Sequence, residues 1–210
     1  MGSKRVGLAR TQALIENLKR ELNLTTSTTL KNAKLTVGAE SATYGAGMVS
    51  TEIAPQTFIQ NVGGEIVTTM LVDLTGLKKK SDVGDVIGLD GGGAAYLLQW
   101  NTTTHGIPYK IEMSCIEAPT AASNNLLDFD IIAIDEGNLA YDGDAAGGTN
   151  GVLMFEAGGN TAKGTTIRDL TTGAVASDQY LYLCDGATSS AADTFTAGKL
   201  VIRFYGRVSF

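Results

Sequence analysis

The side chains able to do covalent chemistry are few and widely separated in this sequence. His105 is the only histidine, and it stands between a run of threonines (102–104) and Gly106, which predicts a turn at the surface. A Ser-His-Asp triad would need a nucleophile motif such as G-x-S-x-G, and none accompanies it. Cys115 and Cys184 lack C-x-x-C spacing, so each is expected to be a small buried hydrophobe, with a disulfide between them left open. No catalytic residue is assigned.

A group of acidic residues offers the best candidate metal ligands: Asp128, Asp130, Asp135, Glu136, Asp142 and Asp144. The segment from Asp142 starts like a calcium loop, but Ala146 occupies the third ligand position and Leu153 replaces the bidentate glutamate. Asp128 and Asp130 alternate with Phe129, which predicts a strand with a solvated acidic face. We therefore expect no metal and no cofactor, while calcium binding near Asp142 and Asp144 stays an open alternative.

The glycine clusters do not match a nucleotide-binding loop. The run 158–165 contains glycines, a lysine and threonines, but Lys163 precedes Gly164. A P-loop needs the order Gly-Lys-Ser/Thr at the start of a helix, so that the lysine reaches the phosphates. The sequence therefore predicts no nucleotide site, and we expect no enzymatic activity.

Composition indicates a folded chain with an uneven distribution of charge. The 210 residues are 43% hydrophobic and 18% charged, which argues against wholesale disorder. The first 20 residues hold five basic and one acidic side chain, a net charge of +4, whereas the rest hold 11 basic and 21 acidic, a net charge of −10. An acidic body binds nucleic acid poorly, and no apolar run approaches the roughly 20 residues of a membrane span. We expect neither nucleic acid nor membrane as a direct partner.

The chain is expected to divide into an N-terminal arm, residues 1–29, and a body, residues 30–210. Apolar residues at spacings of three and four predict an amphipathic helix between Arg10 and Leu22, and the polar run 25–29 predicts a linker. A short helix of this kind needs a partner for its apolar stripe. The predicted partner-binding residues are this stripe and the basic side chains near it: Lys4, Arg5, Arg10, Leu14, Ile15, Leu18 and Leu22.

The body is expected to be mainly β, a jelly roll or β-sandwich preceded by the short helical arm. Ten segments are candidate strands: several show alternating apolar residues, and turn residues lie between many of them. They are Lys34–Val37, Glu52–Gln60, Gly64–Leu74, Asp85–Leu89, Ala94–Trp100, Ile107–Ile116, Leu126–Ile134, Val152–Phe155, Gln179–Cys184 and Lys199–Ser209. Eight to ten short strands with few helices favour these two-layered folds or a barrel.

Four stretches of the chain resemble small virion structural proteins of tailed phages of marine bacteria, of the cyanophage and pelagiphage type. The stretches are Lys4–Leu22, Cys115–Pro119, Asp135–Gly137 leading to Tyr141–Gly143, and Tyr180–Leu183 leading to Ala197–Gly206. The resemblance implies an abundant particle protein without enzyme activity, assembled in the host cytoplasm and placed on the capsid surface. It implies as partners the major capsid protein or other virion proteins, and a homo-oligomer, with a trimer favoured.

The leading hypothesis is a capsid decoration (cement) protein that binds the head shell through its N-terminal arm and its loops. A tail or fibre-associated subunit and a single-jelly-roll capsid subunit are alternatives within the virion. A carbohydrate-binding module is a further alternative, because Tyr96, Trp100 and Tyr109 could line a sugar platform.

Overall fold

The fold was examined in a computed structural model that describes residues 44–49, 54–80, 82–122, 128–159, 161–169, 175–186 and 192–208. The predicted arm (residues 1–29), the boundary at residues 29 and 30, and the predicted strand Lys34–Val37 lie outside the described residues. The seven described ranges are mainly β. Their pairings form two antiparallel sheets.

The first sheet has the strand order β1-β2-β10-β5-β8, and β3 also pairs with β10. Its strands are β1 (Gln56–Val62), β2 (Glu65–Asp73), β3 (Lys78–Lys79), β5 (Ile107–Ala121), β8 (Thr166–Asp169) and β10 (Asp193–Arg207). In β2, Ile66, Thr68, Met70 and Val72 are buried while the residues between them are not. This period of two gives the sheet one core-facing surface and one partly exposed surface.

The second sheet has the strand order β4-β9-β6-β7. Its strands are β4 (Tyr96–Gln99), β6 (Phe129–Ile134), β7 (Val152–Glu156) and β9 (Tyr180–Asp185). All six residues of β6 are buried, as are five of the six in β9. The consecutive apolar residues Ile131, Ile132 and Ala133 fit burial on both faces of a central strand.

Residues of both sheets pack into one hydrophobic core. Phe129 of β6 and Phe195 of β10 have ring centroids 6.1 Å apart, and both are buried. Full burial of a side chain of this size contributes about 1.5–3 kcal/mol. The core also includes Met70, Leu98, Trp100, Ile131, Leu183, Ile202 and Phe204. Apolar burial shared by the two sheets is therefore a main source of the stability of the described body.

Helical structure is minor within the described ranges. It consists of a three-residue 3-10 turn, η1 (Ala46–Met48), and a short helix, α1 (Thr102–His105), between β4 and β5. The Asn101 side chain caps α1 by accepting hydrogen bonds from the backbone N–H groups of Thr103 and Thr104. None of the helices described is long and apolar enough to cross a membrane.

Several strand predictions are confirmed and others need correction. The segments that form β2, β5, β6, β9 and β10 were predicted as strands, although β10 begins earlier, at Asp193. The predicted strand Asp85–Leu89 forms only isolated bridges, at Asp85, Val86 and Gly88. The short strands β3 and β8 were missed.

The prediction of a solvated acidic face on β6 is wrong. Asp130 is only 5% exposed, because both faces of this central strand are covered. The acidic residue therefore lies inside the molecule rather than in solvent.

Candidate functional site

The predicted partner-binding residues all lie outside the described residues, so their contacts stay a prediction. They are Lys4, Arg5, Arg10, Leu14, Ile15, Leu18 and Leu22. The described part of the body contains two surface grooves, a charged network and several buried titratable side chains.

An apolar groove with a charged edge lies on the first sheet, and we call it the Ile116 groove. It has a volume of about 190 Å³, and Ile116 beside it is 51% exposed. The lining residues are Ala54, Gln56, Leu71, Val72, Asp73, Ile116, Lys199 and Leu200. Lys199 forms ion pairs with Asp73, at 3.8 Å, and with Glu117. An apolar centre with a charged rim is the usual anatomy of a protein–protein contact.

A charged and aromatic network crosses the same sheet. Tyr205 Oη donates a hydrogen bond to Glu112 Oε2 at 2.6 Å, and Arg168 Nε lies 2.9 Å from Glu112 Oε1. The hydrogen bond from Tyr205, helped by Lys110 and Arg168, lowers the pKa of Glu112. Burial and the bond to Glu112 raise the pKa of Tyr205 to about 12. Glu112 of β5 thus binds Tyr205 of β10 and Arg168 of β8, so the network is suited to holding the three strands together.

His105 is buried, which corrects the expectation of a surface turn. It is 4% exposed, and its Nδ1 lies 2.9 Å from Thr68 Oγ1 of β2. Its ring centroid is 5.0 Å from that of Trp100, whose Nε1 donates to Gly106 O at 3.1 Å. Burial lowers the pKa of His105 to about 4, so the ring is neutral at pH 7. This histidine connects α1 to the first sheet.

The contact between α1 and β10 depends on two glycines. A Cβ on Gly206 would lie 2.0 Å from the carbonyl oxygen of His105. A Cβ on Gly106, whose φ is +76°, would lie 2.8 Å from both the backbone N and O of Arg207. Only residues without a side chain allow the two backbones to approach this closely. We call Thr68, Trp100, His105, Gly106 and Gly206 the His105 corner.

A polar groove of about 710 Å³ lies where β6, β7 and β9 meet their loops. Gln179, 3% exposed, donates from Nε2 to Asp135 Oδ1 at 3.0 Å and to Asn150 O at 3.1 Å, and it accepts at Oε1 from Ala176 N at 3.0 Å. Asn150 Nδ2 also donates to Asp135 Oδ2 at 2.6 Å. These polar groups are already hydrogen-bonded to one another, so the groove is suited to fixing the loop ends.

The acidic residues of the candidate calcium loop take part in local contacts. Asp142 Oδ2 lies 2.5 Å from Lys80 Nζ, and Asp144 Oδ1 accepts from Gly147 N at 2.9 Å. Across the described ranges, no set of three or more His, Cys, Asp or Glu side chains is arranged to hold a metal ion. In this conformation, the Asp142 and Asp144 carboxylates bind a lysine and a turn amide.

The three aromatic residues of the predicted sugar platform lie in different places, so that interpretation is wrong. Trp100 is fully buried and packs against Phe204, with centroids 5.7 Å apart. Tyr96 packs against Tyr180 in the second sheet, at 4.9 Å. Tyr109 lies on the first sheet, with the Arg207 guanidinium 4.8 Å from its ring. No common platform results.

The two cysteines behave as predicted. Both are buried and neither forms a disulfide, which settles the alternative that the sequence left open. Burial raises the pKa of each thiol, so neither has the low pKa of a reactive thiolate.

The main features missed from the sequence are the cross-strand network on Glu112 and the burial of Asp130. The partners of Glu112 come from residues 168 and 205, which no spacing rule connects. Burial of Asp130 had a signal in the sequence, because the apolar run 131–134 follows it without a polar residue.

Comparisons with known proteins leave the family of this chain open. No family model matches the chain, and searches of curated proteins and of solved structures found no significant match. The functional conclusion therefore depends on the residues and geometry described above.

Proposed function

We propose that this chain is a structural protein of a phage particle, a decoration protein that attaches to the head shell through its N-terminal arm. The observation that carries the proposal is the charge division, with +4 on the first 20 residues and −10 on the rest, combined with an apolar stripe in the same basic segment. A basic amphipathic segment attached to an acidic body suits docking onto another protein.

The β-rich body supports this role as a rigid carrier, whether its two sheets are arranged as a sandwich or as a jelly roll. The Ile116 groove adds an apolar contact surface with the Lys199 and Asp73 charges at its edge. A particle subunit needs surfaces of this kind to contact the shell or sister subunits. We propose that shell subunits and sister copies, arranged as a trimer, are its partners.

Salt decides which part of the arm contributes most to binding. At an ionic strength near 0.6 M the Debye length is only about 4 Å, so exposed ion pairs are strongly screened. Burial of Leu14, Ile15, Leu18 and Leu22 is not screened and should dominate affinity, while Lys4, Arg5 and Arg10 orient the approach.

The proposal is tested by changing the apolar stripe. Leu14→Asp combined with Leu18→Asp should abolish co-sedimentation with head shells assembled without this protein, because two carboxylates cannot be buried there at low cost. The matched control is Gln12→Asp combined with Asn17→Asp, which adds the same charge on the polar side of the predicted helix and should retain binding.

Location on the particle gives the second measurement. Cryo-electron microscopy and mass spectrometry should find copies distributed over the shell, in the hundreds. A dozen or fewer copies at one vertex would instead identify a tail or fibre-associated subunit. Normal occupancy by the Leu14→Asp/Leu18→Asp variant would contradict the docking role of the arm.

A further inference from the structure

The charged side chains of the described body are divided between its two sheets. The ranges that hold the second sheet and its loops contain twelve acidic side chains and no lysine or arginine; they are residues 82–106, 128–159 and 175–186. The ranges that hold the first sheet contain nine basic and six acidic side chains; they are residues 54–80, 107–122, 161–169 and 192–208. The two sets alternate along the chain, so the strand order, and not the sequence order, gathers the acidic charge into the second-sheet half.

The strand pairings place a row of side chains across one end of the first sheet. Val62 pairs with Glu65, Glu65 with Arg207, and Arg207 with Ile107. Paired residues of an antiparallel ladder project from the same face of the sheet. Ile66, which follows Glu65, is buried in the core, so the row lies on the opposite, outer face. Val62 is 78% exposed and Ile107 is 52% exposed, so two aliphatic side chains face solvent there.

The same outer face extends to the Ile116 groove, which includes Leu71 of β2 and Lys199 of β10. The face spans the five strands β1-β2-β10-β5-β8, and β2 is nine residues long. At the usual strand spacing and rise it measures about 20 Å by 30 Å, or about 600 Å². Burial of such an area on each of two molecules gives about 1,200 Å² in total, the lower limit for a specific contact.

Charge indicates which surface fits this face. Arg203 and Arg207 of β10 take part in none of the described ion pairs. On the second-sheet half, exposed acidic residues are also absent from those ion pairs; they include Asp82, Asp144, Glu156 and Asp178. Two second-sheet halves would repel each other, because like charges in contact cost several kcal/mol. The outer face of the first sheet is therefore the electrostatic complement of the second-sheet half.

We propose that the outer face of the first sheet binds a second copy of this chain, through the second-sheet half of that copy. Val62, Ile107 and Ile116 supply apolar burial, and the two arginines meet carboxylates of the neighbour. The contact joins two different surfaces, so it is heterologous and forms a ring where the rotation between copies closes. The expected ring of three rests on the proposed function, whereas the contact itself requires neither the arm nor a head shell.

Sedimentation velocity of the isolated full-length chain at pH 7 tests the contact. An interface of this size is expected to be weak, with a dissociation constant of about 10⁻⁵ M, so chain concentrations of about 10–300 µM cover the transition. Raising sodium chloride from about 0.1 M to about 0.6 M should weaken the association about tenfold, because screening acts on the ion pairs and not on the apolar burial. A chain that stays monomeric throughout would overturn the proposal.

Variants locate the contact. Arg207→Glu and, separately, Ile107→Ser should each weaken the association about tenfold or more. Lys163→Glu is the control for Arg207→Glu, since it makes the same charge change at an exposed residue outside the five strands, and it should associate as the wild type does. Circular dichroism checks that each variant is folded. Unchanged association in both Arg207→Glu and Ile107→Ser would overturn the proposed surface.

Two further outcomes exclude other contacts. The Leu14→Asp/Leu18→Asp variant should associate normally, and a monomeric variant would instead assign the contact between copies to the arm. A species that stops at the dimer would indicate that the same surface is used twice, which would overturn the pairing of two different surfaces. Because no head shell is present, failure of this contact is distinguishable from failure of the attachment to shells.

Discussion

His105 and Asp130 are both buried titratable side chains, yet their surroundings differ and their pKa values shift in opposite directions. His105 is neutral at pH 7 and its ring has Thr68 as a partner at 2.9 Å. Asp130 has an oxygen without a described partner and a second aspartate facing the same space. The His105 ring thus has a neutral hydrogen-bond partner, whereas the buried Asp130 carboxyl faces a second acid, which favours its protonated form.

The two groups give opposite dependences of stability on pH. The pKa of His105 falls to about 4 on folding, so its contribution is complete above about 6.5 and is lost as the pH falls toward 4. The pKa of Asp130 rises to about 7, so folding binds an extra proton, and stability is lost as the pH rises from about 4 to 7. The acidic limit is therefore unfavourable for His105, and the neutral limit is unfavourable for Asp130.

The largest expected difference between the two regions is the loss of stability when a glycine in each is replaced by alanine. Gly206→Ala should destabilise the chain by about 3 kcal/mol or more, because its Cβ would lie 2.0 Å from the His105 carbonyl oxygen, a backbone atom that cannot move alone. Gly186→Ala is the matched variant, since its Cβ would lie 2.8 Å from Asp128 Oδ1 and 2.9 Å from Asp130 Oδ1, which are side-chain atoms and can shift further than a backbone carbonyl. It should cost less than Gly206→Ala, about 1–2 kcal/mol. Chemical denaturation measures both, and equal losses would contradict this comparison.

A smaller effect of opposite sign is expected at Asp130. Asp130→Asn should stabilise the chain by about 1–3 kcal/mol at pH 8, because the amide removes a buried charge. At pH 4 the native carboxyl is already protonated, so the gain should nearly vanish. Urea unfolding at the two pH values measures the difference. A gain independent of pH would show that the charge of Asp130 is not the cause.

The smallest effect concerns two buried threonines on neighbouring strands. Thr68→Val removes the partner of the His105 ring and should destabilise by about 1 kcal/mol. Thr57, 4% exposed, has a hydroxyl without a described partner, so Thr57→Val should be neutral or stabilising. Both replacements keep nearly the same volume, and equal losses in thermal unfolding would mean that the His105 contact contributes nothing.

The sequence predicted the parts of the fold that depend on local pattern. Alternation in Tyr109–Met113 of β5 and the β-forming residues Tyr180–Leu183 of β9 identified these strands, because both patterns follow directly from strand geometry. The strands β3 and β8 contain Lys78–Lys79 and Thr166–Asp169, which have little apolar pattern. They are strands only because β10 and β5 supply hydrogen-bonding partners.

The amino-acid sequence by itself determined the basic charge of the first 20 residues and the acidic charge of the rest, and it predicted the mainly β fold, because these follow from composition and spacing; the amphipathic arm stays a prediction. Only the tertiary structure decided that His105 is buried against Thr68 and that Asp128 and Asp130 meet at Gly186. The physical reason is that burial and hydrogen bonding depend on residues far apart in the chain. Thirty-seven positions separate Thr68 from His105, and the β6–β9 ladder alone brings Gly186 beside Asp128.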